Sequence, residues 1–351
     1  MTVTAKACFV EGANQWKIDT VECPDLSPTQ VLVGVKAVGI CGSDLHYFLE
    51  GKNGNFVVRE PLIPGHELSA EVLAVGSDVI SVKPGQRVAV NPSLSCGHCR
   101  YCLEGLENHC SNVFFMGSAS KFPHMHGAMR EKMVVEEKQC FVLPDSTPFT
   151  TAAFAEPLAV CLHAVEQAKT SLMGKKVLVM GAGPIGALTV AAARLAGARD
   201  ITVVDIQDQT LIAAKKMGAD VAINSKSDPD AIEELTRDRG VFDVTFEATG
   251  NFFALNSCIQ MTRPCGTIVQ VGSMTATGAD NTSWNALANK EITYRGTMRF
   301  GKEYAWAVGF LINGRVNVEP LLSGTFPVEN VKEALDMARD RSRAMKVMIT
   351  F

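Results

Sequence analysis

The feature that most constrains the fold of this chain is a glycine-rich segment between two uncharged, apolar runs. Gly181-Ala-Gly183-Pro-Ile-Gly186 follows a strand-like run at 177–180 and opens a helix-like run. Glycines at these three positions permit a tight turn and let the backbone approach a pyrophosphate, which binds at the helix N-terminus. Since glycines and a proline interrupt the uncharged stretch 177–193, it predicts a buried strand, turn and helix rather than a membrane span.

An acidic residue stands where a dinucleotide site needs one. Asp205 ends the next apolar run and lies 205 − 186 = 19 residues after Gly186. Its carboxylate would accept hydrogen bonds from ribose hydroxyls and repel a 2′-phosphate, and no arginine occurs between Asp205 and Thr210, so NAD is favoured over NADP. The alternative, a glycine turn in a purely structural α/β unit, is disfavoured by the strand, helix and acid in combination. The residues predicted to contact the cofactor are Gly181, Gly183, Pro184, Ile185, Gly186 and Asp205.

Strand-like and helix-like segments alternate around this motif. A helix is predicted at 152–168, strands at 177–180, 201–204, 221–223, 242–246 and 267–271, and helices such as 211–217 and 231–237 between the strands. This alternation predicts a doubly wound parallel sheet of the α/β class.

The first 150 residues follow a different pattern, with short strands at 31–38, 67–75, 87–90 and 132–143 and an irregular segment at 97–126. Short strands separated by glycine and proline predict a barrel-like antiparallel domain. After residue 293, helices are predicted at 303–312 and 328–338 and a strand at 346–349. We therefore predict domains at 1–150 and 151–293, with 294–351 returning to the first domain.

Composition excludes several classes of protein. The net charge is 33 − 37 = −4, so there is no electrostatic reason to expect nucleic acid or an anionic membrane as a partner. The 11 cysteines are an odd number in a chain of 351 residues, whereas secreted disulfide scaffolds are short and evenly paired. No basic segment followed by an apolar run opens the sequence. We therefore expect a cytoplasmic protein with reduced thiols, some of which bind metal.

Four cysteines lie close together in the irregular segment: Cys96, Cys99, Cys102 and Cys110. Four thiolates at this spacing can surround a tetrahedral Zn²⁺, and such a closed site stabilises a loop because it has no open coordination position. An iron–sulfur cluster is the alternative. It is disfavoured because seven residues, rather than three, separate the last two cysteines and because Ser111, rather than proline, follows.

A second group of metal-ligand residues occurs in two short motifs. One is the segment 39–46, which contains Cys41, Ser43, Asp44 and His46, and the other is Gly65-His66-Glu67. Catalytic zinc needs three protein ligands and one open position. Cys41 or His66 alone is more often structural, but together with a nucleotide motif and a four-cysteine loop they indicate a second metal site.

With these motifs, the chain resembles the zinc-dependent medium-chain dehydrogenases/reductases over essentially its whole length. Within that family it is most similar to the polyol (sorbitol-type) dehydrogenases, and most narrowly to bacterial enzymes that oxidise L-idonate. The segments that carry the resemblance are 39–47, 50–56, 91–93 with 96–102, 115–119, 122–124 and 155–157. The resemblance implies an N-terminal GroES-like catalytic domain and a Rossmann NAD-binding domain.

The resemblance also implies that Cys41, His66 and Glu67 hold a catalytic zinc. Glu156 stands where many alcohol dehydrogenases have a cysteine. Because a thiolate and two carboxylates place three negative charges around a divalent cation, we expect one carboxylate to exchange when substrate binds. Which of Glu67 and Glu156 is the ligand stays open.

Further roles follow from the resemblance alone. Zinc would act as a Lewis acid on the substrate hydroxyl, Ser43 and His46 would carry its proton outward, and Asp44 would orient a ligand. The residues implied to line the substrate pocket are Tyr47, Glu156 and Arg299, and those implied to lie beneath the nicotinamide are Val271, Gly272 and Ser273.

The function implied is NAD-dependent oxidation of a secondary hydroxyl of a sugar acid or polyol. The favoured reaction is that of L-idonate to 5-ketogluconate, and the alternative is a sorbitol- or xylitol-type substrate or another alcohol. Lys52, Lys121 and Arg299 are the candidate cations for a sugar acid's carboxylate. A zinc-free reductase of the same family conflicts with Cys41 and His66. A non-catalytic zinc- or nucleotide-binding redox sensor predicts damaged ligands, whereas here they are intact. By resemblance we expect a homodimer or homotetramer.

Overall fold

The computed structural model describes residues 3–274 and 282–351, and their contacts divide the chain into two compact units. The first unit comprises Met1–Glu156, Tyr304–Asp340 and Lys346–Phe351, and the second comprises Pro157–Glu303 and Arg341–Met345. The changes of unit therefore fall after residues 156 and 303 rather than after the predicted 150 and 293. Segment 341–345 belongs to the second unit, although we predicted that all of 294–351 would return to the first.

The elements are numbered along the chain. Those before residue 153 are β1 (Val3–Gly12), β2 (Gln15–Cys23), β3 (Gln30–Gly39), α1 (Gly42–Glu50), β4 (Lys52–Asn53), β5 (Phe56–Val57), β6 (Glu67–Val75), β7 (Arg87–Val90), β8 (Ser93–Leu94), α2 (Arg100–Leu103), β9 (Phe114–Phe115), β10 (Lys132–Glu136), β11 (Cys140–Val142) and α3 (Phe149–Ala152). Those that follow are α4 (Ala155–Gln167), β12 (Lys176–Met180), α5 (Pro184–Leu195), β13 (Asp200–Asp205), α6 (Asp208–Lys216), β14 (Val221–Asn224), α7 (Pro229–Glu234), β15 (Phe242–Glu247), α8 (Phe252–Met261), β16 (Thr262–Gln270), α9 (Trp284–Asn289), β17 (Thr293–Gly296), α10 (Glu303–Ile312), β18 (Leu322–Pro327), α11 (Val331–Arg339) and β19 (Lys346–Thr350).

The main sheet of the first unit has the strand order β11-β7-β6-β3-β19-β18, and β10 also pairs with β3. Its pairings are antiparallel except for β18 with β19. Because β19 pairs with β3, the end of the chain lies beside the strand that leads into α1. This arrangement places Lys346, the first residue of β19, close to residues 40 and 67.

Two sequence predictions for this unit were incomplete. The run 132–143 is not one strand, because a short helical turn at Glu137–Gln139 separates β10, which pairs with β3, from β11, which pairs with β7. The β1–β2 hairpin was not predicted. Most side chains of β2 are exposed or half-buried, so this strand has no apolar run that would reveal it.

The second unit confirms the predicted doubly wound parallel sheet. Its strand order is β14-β13-β12-β15-β16-β17, and each pairing is parallel. The central strands are almost continuously apolar because both faces of such a sheet are covered. The edge strand β17, Thr293–Gly296, was missed, and the predicted boundary at 293 falls inside it. Across the described ranges, no helix is both long and apolar enough to cross a membrane.

A buried acid–histidine pair, Glu303 and His163, lies in the second unit. Glu303 Oε1 lies 3.1 Å from His163 Nδ1, and Glu303 Oε2 accepts a hydrogen bond from the Gly301 amide at 2.8 Å. Burial alone would raise the pKa of Glu303, but these two hydrogen bonds outweigh it and lower the pKa to about 2. Because the folded-state pKa lies below the ordinary value of 4.5, the carboxylate stabilises the fold above pH 4.5, and this contribution is lost as the pH falls towards 2.

Replacement of Glu303 with glutamine is therefore expected to lower the free energy of unfolding by about 3 kcal/mol at pH 7 and by much less at pH 3.5. Urea unfolding of parent and variant at both pH values measures the difference between them, from which effects of acid common to both proteins cancel. Glu166→Gln, at an exposed position of α4, is the control. A parent–variant difference that does not change with pH would contradict the assignment.

Candidate metal centres and nucleotide site

Cys41 occupies the N-cap of α1. The backbone N–H of Cys41 donates to Asp44 Oδ2 at 2.9 Å, in the geometry of a capping box. The other Asp44 oxygen accepts from the Gly65 N–H at 3.0 Å. Asp44, which is fully buried, thus ties the segment that carries Cys41 to the segment that carries His66.

His66 and Glu67 enter the site from the start of β6. Gly65, just before them, has φ +93°, and a Cβ there would lie 2.8 Å from a Val38 methyl and 2.9 Å from the Met129 side chain. Only glycine fits this turn without a shift of its neighbours. His66 and Glu67 are 6% and 1% exposed, so the turn delivers an imidazole and a carboxylate into the interior.

The Cys41, His66 and Glu67 side chains converge, with their ligand atoms all within 4.8 Å of one another. Two of the buried polar atoms, His66 Nδ1 and Glu67 Oε2, have no hydrogen-bond partner. Leaving such atoms unsatisfied is costly, and a metal ion is the partner that a thiolate, an imidazole and a carboxylate share. These three residues therefore fit a zinc ion.

Glu156 is not part of this set, although it is buried at the start of α4 and its charge raises the pKa of His66. Burial works against protonation of His66, but the charges of Asp44 and Cys41 outweigh it, and the pKa lies well above the usual value. Asp44 Oδ1 lies 3.8 Å from His66 Nδ1, which is too long for a hydrogen bond. Asp44 therefore acts on His66 mainly through charge and through the Gly65 turn.

A residue that sequence reasoning missed completes this centre. Lys346 is 4% exposed, and its Nζ donates to Glu67 Oε1 at 2.7 Å and to the Ile40 carbonyl at 3.3 Å. Burial disfavours its charged form, but the charges of Glu67, Cys41 and Glu156 outweigh burial and raise its pKa. A lysine that begins an apolar C-terminal strand gives no sequence signal of such a position.

The residues predicted to relay a proton lie on α1. Ser43 and His46 are three residues apart, so they share one face of the helix. His46 is exposed, and its Nδ1 lies 2.8 Å from Glu50 Oε1. Tyr47, predicted to line the substrate pocket, is 2% exposed, and its hydroxyl accepts a hydrogen bond from the Ala119 amide at 3.1 Å. Glu50 was not predicted in any role.

The four cysteines of the irregular segment form a second cluster, again with all sulfur atoms within 4.8 Å. Backbone N–H groups point at the sulfurs: Cys96 and Asn112 donate to Cys110 Sγ at 3.3 Å, and Cys99 donates to Cys96 Sγ at 3.4 Å. Backbone N–H donors lower the pKa of Cys99 to about 6, whereas burial and the neighbouring thiols raise that of Cys102 to about 12. Such N–H donors stabilise thiolates, and the donor set fits a closed tetrahedral zinc site.

The glycine motif of the second unit joins β12 to α5 at the carboxyl edge of the sheet. Gly181 has φ +96°, and a Cβ on Gly186 would overlap the Gly181 carbonyl oxygen, so both positions require glycine. A Cβ on Gly183 would meet nothing within 4 Å. The open space above Gly183, at the N-cap of α5, fits a pyrophosphate at a helix N-terminus. Pro184 and Ile185 form the first turn of that helix.

Asp205 lies at the end of β13 and is already tied to the glycine turn. Its Oδ2 accepts from the Ala182 N–H at 2.6 Å, and its Oδ1 accepts from the N–H groups of Ile206 and Gln207 at 2.6 and 3.0 Å. The carboxylate therefore holds the glycine turn in place.

A cavity of about 400 Å³ opens beside Asp205, and its lining includes Ile206, Ser225, Phe253 and Arg341. Sequence reasoning missed Arg341, which lies 136 positions after Asp205 (341 − 205 = 136). Val271 and Gly272 follow β16, and both donate their N–H groups to the Glu247 carbonyl at 2.8 Å, while Ser273 beside them is exposed. Arg299, also in the second unit, has φ +51°, a strained conformation that is often found at functional sites.

Comparisons with known proteins identify the family of the chain. The sequence matches the family described as "Alcohol dehydrogenase GroES-like domain" over residues 27–145 and that described as "Zinc-binding dehydrogenase" over residues 184–313. It is 41% identical to "L-idonate 5-dehydrogenase (NAD(P)(+))" of Escherichia coli K12 across the whole of both chains, and 38% identical to "Sorbitol dehydrogenase" of Bacillus subtilis over 98% of this chain and 96% of that one.

Among solved structures, L-idonate 5-dehydrogenase from Escherichia coli superposes with a TM-score of 0.94 at 40% identity, covering 100% of this chain and 99% of the other. The butanediol dehydrogenase of Bacillus subtilis has a TM-score of 0.87 at 29% identity, with 99% of each chain covered. From the two family matches and the full-length relatives, this chain belongs to the zinc-dependent medium-chain dehydrogenases/reductases.

Proposed function

We propose that this enzyme oxidises a secondary hydroxyl of a sugar acid or polyol with NAD. Its preferred substrate is L-idonate, which is oxidised to 5-ketogluconate. The observation that carries the proposal is the convergence of Cys41, His66 and Glu67 around two buried polar atoms without hydrogen-bond partners. That arrangement occurs in a chain whose relatives at 41% and 38% identity are named for L-idonate and sorbitol.

Two zinc ions per chain are proposed. Cys41, His66 and Glu67 hold the catalytic one, with Glu156 close by, and Cys96, Cys99, Cys102 and Cys110 hold the structural one. A zinc ion in the first site supplies Lewis-acid polarisation that lowers the pKa of a hydroxyl group. Cys41, His66 and Glu67 fix the position of that ion, and Asp44 fixes the two segments that carry them.

The proton released by the substrate leaves along α1. Ser43 receives it at the substrate oxygen, and His46, on the same helix face, passes it outward. The Nδ1 of His46 lies 2.8 Å from Glu50 Oε1, so an exposed carboxylate orients the imidazole. His46 can then return the proton to solvent.

NAD is the proposed cofactor in the second unit. The Gly181–Gly186 turn holds the pyrophosphate, Asp205 binds the ribose hydroxyls, and the exposed apolar side chains of Ile206 and Phe253 border the space for adenine. Val271, Gly272 and Ser273 border the nicotinamide. NADP is disfavoured because the Asp205 carboxylate would repel a 2′-phosphate.

Arg299 is the proposed contact for the substrate's carboxylate, because a guanidinium binds a carboxylate through two hydrogen bonds and because its backbone is strained. A polyol has no carboxylate, so the contact separates the two substrate classes. Lys52 and Lys121 are exposed lysines without such strain.

A substrate panel tests the proposal on the zinc-replete enzyme with NAD, using L-idonate, sorbitol, xylitol and L-threonine. L-Idonate is expected to give the highest kcat/KM. Arg299→Ala is expected to lower kcat/KM for L-idonate by about 10- to 100-fold while leaving sorbitol within about 3-fold. Lys121→Ala is the matched control. Equal inactivity on all four compounds would contradict the function, and an equal loss on idonate and sorbitol would contradict the role of Arg299.

A further inference from the structure

The last strand of the chain contributes a buried ammonium group to the proposed catalytic centre. The Lys346 and Glu67 side chains are 4% and 1% exposed, and Nζ and Oε1 lie 2.7 Å apart. The second hydrogen bond of Nζ, to the Ile40 carbonyl, anchors it to the residue just before Cys41. A charge-assisted contact with this burial holds both side chains in one arrangement.

The second oxygen of Glu67 is confined differently. Oε2 is buried without a hydrogen-bond partner and lies against Gly39, the residue directly opposite Glu67 in the β3–β6 pairing. A Cβ at position 39 would overlap Oε2, so the glycine leaves room for the carboxylate. One oxygen of Glu67 is therefore engaged by an ammonium and the other is not.

The lysine also changes the charge sum of the centre. Cys41, Glu67, Glu156 and Asp44 contribute −4, a divalent zinc would contribute +2, and Lys346 contributes +1, so −4 + 2 + 1 = −1. Without Lys346 the centre would carry −2 in a buried setting, which is costly. Lys346 therefore offsets one of the negative charges in this centre.

We propose that Lys346 is a positioning residue that limits Glu67 to one oxygen as a zinc ligand and so keeps a coordination position open for the substrate. The inference rests on the proposed zinc-binding role of Cys41, His66 and Glu67. Because Lys346 donates to Oε1 while Oε2 has no hydrogen-bond partner, Oε2 is the oxygen that a metal ion binds without competition from the ammonium. A carboxylate that bound through both oxygens would fill the open position that catalytic zinc needs.

The test replaces Lys346 with methionine and compares metal binding in the full-length enzyme loaded with cobalt(II), whose d–d absorption is stronger in four-coordinate than in five-coordinate sites. Subtracting the spectrum of Cys41→Ser isolates the Cys41 site from the four-cysteine site. We expect Lys346→Met to keep the Cys41-dependent thiolate band while its d–d intensity falls by roughly half. Competition with a chelator is expected to show metal bound at least as tightly as in the parent.

Lys346→Arg keeps a cationic donor and is expected to give the parent spectrum. Lys290→Met is the matched control. Lys290 is also a buried lysine of the second unit, and its Nζ donates to three backbone carbonyls near the end of α8. It is expected to leave the cobalt spectrum unchanged. Lys346→Gln, a smaller change, should shift the spectrum in the same direction as Lys346→Met.

Parent-like d–d intensity in both Lys346→Met and Lys346→Gln would overturn the inference. Loss of cobalt from folded Lys346→Met would also overturn it, because Lys346 would then hold the metal rather than limit Glu67. Absence of any Cys41-dependent thiolate band in the parent would instead overturn the proposed catalytic site itself. The failure of the inference and the failure of the proposed function are thus read from different spectra.

Discussion

Replacement of Cys41 with alanine is expected to lower kcat for alcohol oxidation by about 10⁴-fold and to leave one zinc per chain instead of two. A Lewis acid contributes several kcal/mol to such a reaction, and each 1.36 kcal/mol changes the rate about tenfold. His66 and Glu67 alone leave too few ligands to hold the ion against water and buffer. Steady-state kinetics and metal analysis by mass spectrometry measure the two effects.

The effect should be confined to the proposed catalytic centre. NADH binding, followed by fluorescence, is expected to stay within about 2-fold of the parent, because the nucleotide residues belong to the second unit. Cys140→Ala is the matched control, since Cys140 lies in the same unit outside both clusters, and it should keep both zinc ions. Cys99→Ser should lose the other zinc and make the 96–110 segment sensitive to proteases. Two zinc ions in Cys41→Ala, or more than a tenth of parental activity, would contradict the assignment.

The residues that sequence reasoning identified are those whose chemistry lies within short motifs. Residues at short spacings are brought close together by the local fold alone. This holds for the four cysteines, the Gly181–Gly186 turn and the pair His66–Glu67. The same holds for the parallel sheet, whose central strands are mostly apolar and buried.

The residues it missed depend on contacts between distant parts of the chain. Lys346 lies 279 positions from Glu67, and Arg341 reaches the cavity beside Asp205 from a segment that sequence reasoning assigned to the other domain. A lone basic residue near an apolar strand is ordinarily solvated, so neither carries a periodic or motif signal. The β1–β2 hairpin and the edge strand β17 were missed because β2 and β17 have few buried side chains.

Asp205→Ser is expected to shift the ratio of kcat/KM for NADP to that for NAD towards NADP by on the order of 100-fold. The carboxylate and a 2′-phosphate would repel each other at close range. The repulsion is about 1 kcal/mol per pair of charges in bulk water and about 4 kcal/mol near a protein surface, where the dielectric constant is lower. Arg341 lines the same cavity, so removal of the acid leaves a guanidinium facing the phosphate. Kinetics with both cofactors at fixed ionic strength measure the ratio.

Asp205→Ser also removes hydrogen bonds that sequence reasoning did not predict. Asp205 accepts three backbone hydrogen bonds, one of them from Ala182 in the glycine turn, and serine can replace only part of them. Efficiency with NAD should therefore fall about tenfold even where NADP improves.

Asp208→Ser removes a neighbouring charge without touching the turn and should leave the ratio unchanged. In Asp205→Ser combined with Arg341→Ala, the gain with NADP should disappear, because no cation would then remain among the side chains that line the cavity. An unchanged ratio in Asp205→Ser would mean that Asp205 holds the glycine turn without selecting the cofactor, whereas a gain that survives Arg341→Ala would assign NADP binding to another residue.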